Sequence, residues 1–461
     1  MIVMKFGGTS VEDSKAILGV IEIVNSEIAR KPIVVVSACA GVTNQLLKIA
    51  ALSAEGNKDE ANDLITEIRV RHEKLVDELI KSELPKNYLK GKISVYAHEL
   101  RNFLQAISVL GEVSNRSRDA IASYGERLSS MIIAQAMEEK SMKAALVDAR
   151  EYMITNETYT KAVPLFEIVE ERAKKALMPL IDNGYVVVTQ GFIGASGKGI
   201  TTTIGRGGSD YSAAIIGALL ETKEIQIWTD VDGVLTADPS IIPEARRIKK
   251  MSFNEASELA YFGAKVLHPM TILPAIEKNI PVYVRNSRNP SYRGTLISKS
   301  ENHEECIVKS IAYKEHLTLL NLVSSRMFMA HDFLEAVFAV FNKYKTIAHA
   351  VATSEVSVSV AIDDTSKLEE MEREFAEFAE STSSSGKAIV CVVGENIRHS
   401  PGIVGKIFSA MNGIRVNMIS QGASEINIGF VVDERDLERA VQLLHKELFG
   451  NPQGLSSDIF D

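Results

Sequence analysis

Runs of apolar residues without polar alternation recur along the first two thirds of the chain. They are IVMKF (2–6), PIVVVSA (32–38), AALVDA (144–149), YVVVTQGFIG (185–194), EIQIWTD (224–230) and IPVYVR (280–285). Runs of this kind predict strands buried on both faces, as in a parallel sheet. Helical stretches separate them, among them EANDLITEIRVRHEKLVDELIKS (60–82) and SDYSAAIIGALLE (209–221). Strand, glycine-rich turn, helix, strand is the α/β pattern. Ligands of open sheets bind beyond the carboxyl ends of the strands, and KFGGTS (5–10), VSACAGVTN (36–44) and GFIG (191–194) all stand there.

After about residue 298 the pattern changes. EREFAEFAESTSSSGK (372–387) reads as a helix running into a polar linker, and an internal repeat flanks it. SEVSVSVAID (354–363) aligns without gaps with SEINIGFVVD (424–433), and the same offset pairs Phe338 with Phe408 and Asn342 with Asn412. The expected organisation is a large α/β domain over 1–298 and two small α+β modules over 299–386 and 387–461.

Composition narrows the function. The chain has 461 residues, 51 basic against 60 acidic, for a net charge of −9. That balance argues against a nucleic-acid or anionic-membrane surface, so an anionic substrate must be held by a few locally placed cations. Cys39, Cys306 and Cys391 are far apart and include no C-x-x-C. A disulfide framework or zinc site is not expected, which fits a reducing compartment. With neither a secretory leader nor an apolar run long enough to span a bilayer, the expected location is cytoplasmic.

Five segments could carry chemistry. In KFGGTS, Gly7 and Gly8 let backbone N–H groups approach a ligand, and Lys5 would reach a phosphate as a point charge; a tight turn beside a surface lysine fits equally well. In TTTIGRGGSDYSAA (201–214), Ser209 and Asp210 open a helix whose N-terminus would face an anion. Arg206 suits a planar carboxylate. Asp210 either orients a lysine or metal ion or is only a first-turn acid. WTDVDGVLTADP (228–239) is rich in turn residues, with Thr229 and Asp230 at a strand end. YFGAKVLHP (261–269) carries Lys265, a phosphate-ligand candidate, and His268, read as structural. SYGERLSS (123–130) puts Glu126 in an apolar helical setting, where it either holds an ammonium or pairs with a neighbouring charge such as Arg127.

Together and in this order, KFGGTS, GERLSS, TTTIGRGGSDYSAA, WTDVDGV and FGAKVLHP resemble the amino-acid kinase family, in its aspartate kinase branch. The resemblance extends through the paired C-terminal modules, which look like ACT domains. It implies ATP- and Mg²⁺-dependent phosphorylation of the β-carboxylate of L-aspartate, the first step towards the aspartate-derived amino acids, by an enzyme without a fused second activity. Carried over residue by residue, it places Lys5 and Asp210 at the transferring phosphoryl group. Thr43, Glu126, Arg206, Gly208 and Ser209 would hold aspartate. Lys5, Gly7, Gly8, Ser37, Thr229, Asp230 and Lys265 would line the ATP side. Leu235 and Ser240 stand where the family often has tyrosine and arginine near the nucleotide. The resemblance further implies homodimerisation through the modules and a lysine or threonine effector, with Met327, His349, Thr353, Ser354 and Glu355 at the effector positions. His349 replaces the usual aspartate, and an imidazole is a poor partner for an ammonium. Two alternatives remain: a silent amino-acid sensor and a kinase for another amino acid such as glutamate. A dehydrogenase is not expected, because no G-x-G-x-x-G follows the first strand.

Overall fold

The computed structural model describes residues 1–205, 207–263, 271–299, 307–324, 330–422, 424–450 and 458–461. Arg206, Lys265, His268, Cys306 and Met327 lie outside the described residues. The chain divides into two compact units, Met1–Val234 with Val266–Lys299, and Leu235–Lys265 with Ser300–Asp461.

The first unit begins with β1 (Ile2–Phe6), β2 (Pro32–Val36), β3 (Ala144–Val147) and β4 (Ile154–Thr155). It continues with β5 (Val186–Gln190), β6 (Ile193–Ser196), β7 (Thr201–Thr203) and β8 (Ile225–Thr229). The short β9 (Lys250–Ser252) stands in the second unit, and β10 (Val282–Asn286) and β11 (Thr295–Ser298) return to the first. The main sheet of the first unit runs β3-β5-β2-β1-β8-β10-β11, parallel except for the β10–β11 pair. Every residue of β1, β2 and β5 is buried, as a sheet covered on both faces requires. Met4 and Phe6 belong to one core with α1 (Ser14–Ser26), α2 (Val42–Ala54), α3 (Lys58–Leu79), α4 (Glu83–Leu110) and α6 (Tyr124–Glu139); α5 (Asn115–Ala122) adds Ile121. Further along come α7 (Phe166–Asp182) and α8 (Gly208–Leu219).

The run 185–194, which reads as one strand, is divided at Gly191 and Phe192. β5 ends at Gln190, while β6 belongs to a separate small sheet with β4 and β7. The cause is local. Phe192 is left-handed, with φ 66°, and a Cβ on Gly191 would stand 2.7 Å from the Cα of Ser209. The chain must leave the sheet where the start of α8 presses on it.

In the second unit the remaining strands are β12 (Ile307–Ser324), β13 (Ala350–Thr353), β14 (Ser357–Ile362), β15 (Ala379–Glu395), β16 (Val416–Ser420) and β17 (Asn427–Asp433). They form one antiparallel sheet in the order β13-β14-β12-β15-β17-β16. The repeat is visible here, since the two alternating segments become β14 and β17. Its halves are interlocked: β12 pairs with β14 through Thr318–Val323, but its earlier half pairs with the later half of β15, as in Ile311 opposite Val392. That later half of β15 in turn carries β17.

The expected polar linker is a correction. Ala379–Lys387 is the first half of β15, with Ser381, Thr382 and Ser383 opposite Leu322, Asn321 and Leu320. Its side chains are mostly exposed, so backbone pairing alone makes the strand and no apolar pattern announces it.

Candidate active site

Two turns at the carboxyl ends of β1 and β2 are stitched together by backbone bonds. Ser37 N–H donates to Phe6 O at 3.1 Å, and Ala40 N–H donates to Gly8 O at 3.0 Å. A Cβ on Gly8 would lie 2.9 Å from Ala38 O and 3.3 Å from Ala40 N, so this approach requires glycine. Gly7 N–H is tied to Trp228 O on β8 at 3.0 Å. From β1, Lys5 extends to an ion pair with Asp210, Nζ to Oδ1 2.6 Å.

Asp210 sits in the first turn of α8. The helix starts one residue earlier than the sequence suggests. Its cap is Gly207, left-handed at φ 71°, with no side-chain cap bond, so Ser209 lies inside the first turn rather than capping it. Asp210 is therefore held by both a helix N-terminus and an ammonium, the setting in which an acid next to an anion site is tolerated.

Glu126 enters from the first turn of α6. A Cβ on Gly125 would stand 2.6 Å from the Cβ of Ala38, so only glycine lets the helix come this close to the β2 turn. Ser129 Oγ donates to Ser37 O at 2.7 Å and fixes the same turn from below. Glu126 is 3 % exposed; its Oε1 accepts from Ala38 N–H at 3.2 Å, and its Oε2 is buried without a hydrogen-bond partner. Burial pushes its carboxyl up to about 8.

These groups share one cavity of 360 Å³, lined by Lys5, Gly8, Ser37, Thr43, Glu126 and, across from them, Gly208, Ser209 and Asp210. Cys39, Asn44 and Phe192 also line it and were not singled out from sequence. Burial pushes the Cys39 thiol up to about 12, which leaves it inert. Gly7, Thr229 and Asp230 do not line this cavity among the described residues. Thr229 Oγ1 donates to Asp230 Oδ1 at 3.1 Å, and Thr229 O accepts from Ser287 N–H at 2.9 Å.

Other expected positions fall in the second unit. Ser240 donates from N–H and Oγ to Asp238 Oδ1, closing an Asx turn, and Leu235 O accepts from Ser310 Oγ. His349 Nε2 stands 3.0 Å from Asp363 Oδ2 and 2.9 Å from Lys314 Nζ, and Lys314 reaches the same carboxylate at 2.7 Å. Against the opposing effect of burial, the Lys314 ammonium and the neighbouring His349 imidazole hold the Asp363 carboxyl down at about 2. Thr353, Ser354 and Glu355 are exposed at the far end of β13, roughly 13 Å along the strand from His349 at 3.3 Å per residue.

Arg71 on α3 was not found from sequence, because its partners are backbone carbonyls. Its Nη1 donates to Ala40 O at 2.7 Å and its Nη2 to Glu12 O at 2.9 Å, clamping both ligand-facing turns. Asp119 plays a similar part for β7, accepting from Thr203 N–H and Oγ1 at 2.9 and 2.7 Å. Arg71→Ala is expected to lower kcat/KM by about tenfold or more, since each bond to a charged donor contributes roughly 1.5–3 kcal/mol. Steady-state kinetics with Arg71→Lys alongside check this: lysine reaches one carbonyl and should restore only part of the loss. Equal rates in all three proteins would remove the clamp.

Residues 1–286 match the amino acid kinase family and residues 390–448 the ACT domain. Lysine-sensitive aspartokinase 3 of Escherichia coli is 35 % identical over 97 % of this chain and 99 % of its own length. Chloroplastic aspartokinase 1 of Arabidopsis thaliana is 37 % identical over 97 % of this chain and 80 % of its own. The crystal structure of E. coli aspartokinase III with aspartate and ADP superposes with a TM-score of 0.84 at 34 % identity, covering 97 % of this chain and 100 % of that one.

Proposed function

This chain belongs to the amino acid kinase family as an aspartokinase, phosphorylating the β-carboxylate of L-aspartate with ATP, and we propose that the cavity between the β1 and β2 turns and α8 is where that transfer occurs. The observation that carries this reading is the Lys5–Asp210 pair facing a buried, half-satisfied Glu126 within one cavity.

In this reading Lys5 Nζ meets the γ-phosphoryl oxygens as charge spreads over them, and Asp210 keeps that ammonium in place. A β-carboxylate oxygen of aspartate attacks phosphorus in line, the bond from phosphorus to the β,γ-bridging oxygen breaks, and ADP carries off the electron pair. Positioning and cationic stabilisation suffice for such a transfer. Gly7, Gly8 and Ser37 offer backbone and hydroxyl groups to ATP, with Thr229, Asp230 and Lys265 on its base and phosphate side. Thr43, Gly208 and Ser209 frame the aspartate, Arg206 takes its α-carboxylate, and Glu126 its ammonium. Among the described residues no group of three or more His, Cys, Asp or Glu side chains is placed to hold a metal. The glycine turns and Lys5 instead suit a nucleotide that brings Mg²⁺ on its phosphates, where the ion would neutralise charge between them.

We further propose a kinase domain over 1–298 and ACT-like modules over 299–386 and 387–461, joined through their shared strands, pairing two chains and acting in the cytoplasm. No helix among the described residues is long and apolar enough to cross a membrane. The E. coli relative is named lysine-sensitive, and one of its structures holds lysine and aspartate. Lysine is therefore the first effector to test, with Met327, Thr353, Ser354 and Glu355 as its contacts. The Asp363 carboxylate near His349 already has the chain's own Lys314 as a partner, so inhibition is expected to be weaker than an unpaired acid would give.

ADP release from the purified protein with Mg-ATP and L-aspartate tests the transfer. Release with aspartate but not glutamate is expected, and Arg206→Ala should raise the aspartate KM far more than that for ATP. Glutamate-driven release at the same rate would overturn the substrate assignment. Lysine and threonine added separately identify the effector.

A further inference from the structure

A second cavity, of 550 Å³, opens at the α6 N-terminus between α4, α5 and β7. None of its lining residues lines the catalytic cavity. Its central feature is Arg127. The guanidinium carbon stands 4.3 Å from the ring centre of Tyr96 and 4.6 Å from that of Tyr124, two rings that meet edge to face at 5.3 Å, so it rests against both. Its Nε is buried without a hydrogen-bond partner. The acid that lines this cavity, Glu99, is already engaged by Tyr124 OH at 2.6 Å. A second guanidinium, that of Arg150, donates to Thr201 Oγ1 at 3.3 Å, with its charge answered by Asp148 at 2.6 Å.

Asp148, in direct contact with Arg150, acts on Arg127 only through space, so among the described residues Arg127 has no carboxylate in contact in a cavity whose apolar wall includes Phe103 and Ala106. Contact with both rings holds the guanidinium in place, and its N–H donors suit a planar anion. The volume is in the range of small-molecule sites. We propose that this cavity binds a small aliphatic monocarboxylate: its carboxylate on Arg127, within reach of the Ser123 and Thr201 hydroxyls, and its carbons against Phe103 and Ala106. Arg127 directly follows Glu126 in the first turn of α6, so an occupant would brace the turn that presents Glu126 to the catalytic cavity.

Calorimetric titration of butyrate into the full-length protein, with ADP and aspartate present to fill the catalytic cavity, tests it. Saturable one-to-one binding is expected, weakened about tenfold or more by Arg127→Met, the usual effect of losing a charge-assisted pair. Ala106→Phe, a change at an exposed wall position that keeps both arginines, is expected to block binding while leaving the aspartate KM unchanged. Three results would each overturn the proposal: no saturable binding to the wild type, undiminished binding to both variants, or inorganic phosphate binding as tightly as butyrate.

Discussion

Replacing Lys5 by methionine is expected to cut turnover on the order of 10³-fold while the protein stays folded. The magnitude follows from losing a positioned cation at a transferring phosphoryl group, where single donors and cations contribute 10²- to 10⁵-fold. Methionine keeps most of the volume, and position 5 lies within a fully buried strand, so the sheet should tolerate the change. The loss should exceed that from removing an ordinary ligand, because Asp210 is then left next to the phosphates without the ammonium 2.6 Å away. Asp210→Asn should restore little. Circular dichroism and ADP release together check this, and a folded Lys5→Met protein with near-normal turnover would move the phosphoryl site elsewhere.

The second large effect concerns Glu126 and pH. Its carboxyl titrates near 8 in the folded protein against 4.5 as the ordinary value. The folded state therefore holds this proton more tightly than the unfolded chain. Its contribution is fully present below about pH 4.5 and is lost as pH rises through 8. At pH 7 the unfavourable linkage amounts to about 3 kcal/mol at 1.36 kcal/mol per pKa unit. Glu126→Gln should accordingly raise Tm at neutral and alkaline pH and leave it nearly unchanged near pH 4. The proposed ammonium site makes the opposite demand, since aspartate needs the ionised carboxylate. Binding then releases a proton, and the aspartate KM should rise roughly tenfold per unit as pH falls below about 8. In Glu126→Gln that dependence should vanish with the affinity. A flat KM profile in the wild type would take the ammonium away from Glu126.

Much of this was legible in the sequence because it depends on local chemistry. Unbroken apolar runs became β1, β2 and β5, and the glycine turns that follow them converge on one cavity with Glu126 and Asp210. What escaped depends on partners distant in sequence. Arg71 acts on backbone carbonyls, which leave no mark in a motif. The serine-rich half of β15 is a strand because β12 lies beside it. The break at Phe192 reflects the pressure of α8 on Gly191.

The crossing of β12 and β15 has a consequence for how the second unit can come apart. The second repeat does not own a complete set of strands, because the later half of β15 pairs with the earlier half of β12, which lies before it in the first module. A fragment beginning at residue 387 would keep β16 and β17 but bare the edge of Cys391–Gly394, whose backbone groups β12 otherwise satisfies. Such a fragment would invite pairing with other chains rather than fold quietly by itself. In the intact protein, amide exchange at Ile311–Tyr313 should occur only when both repeats open together, making them a single foldon despite their duplicated sequence.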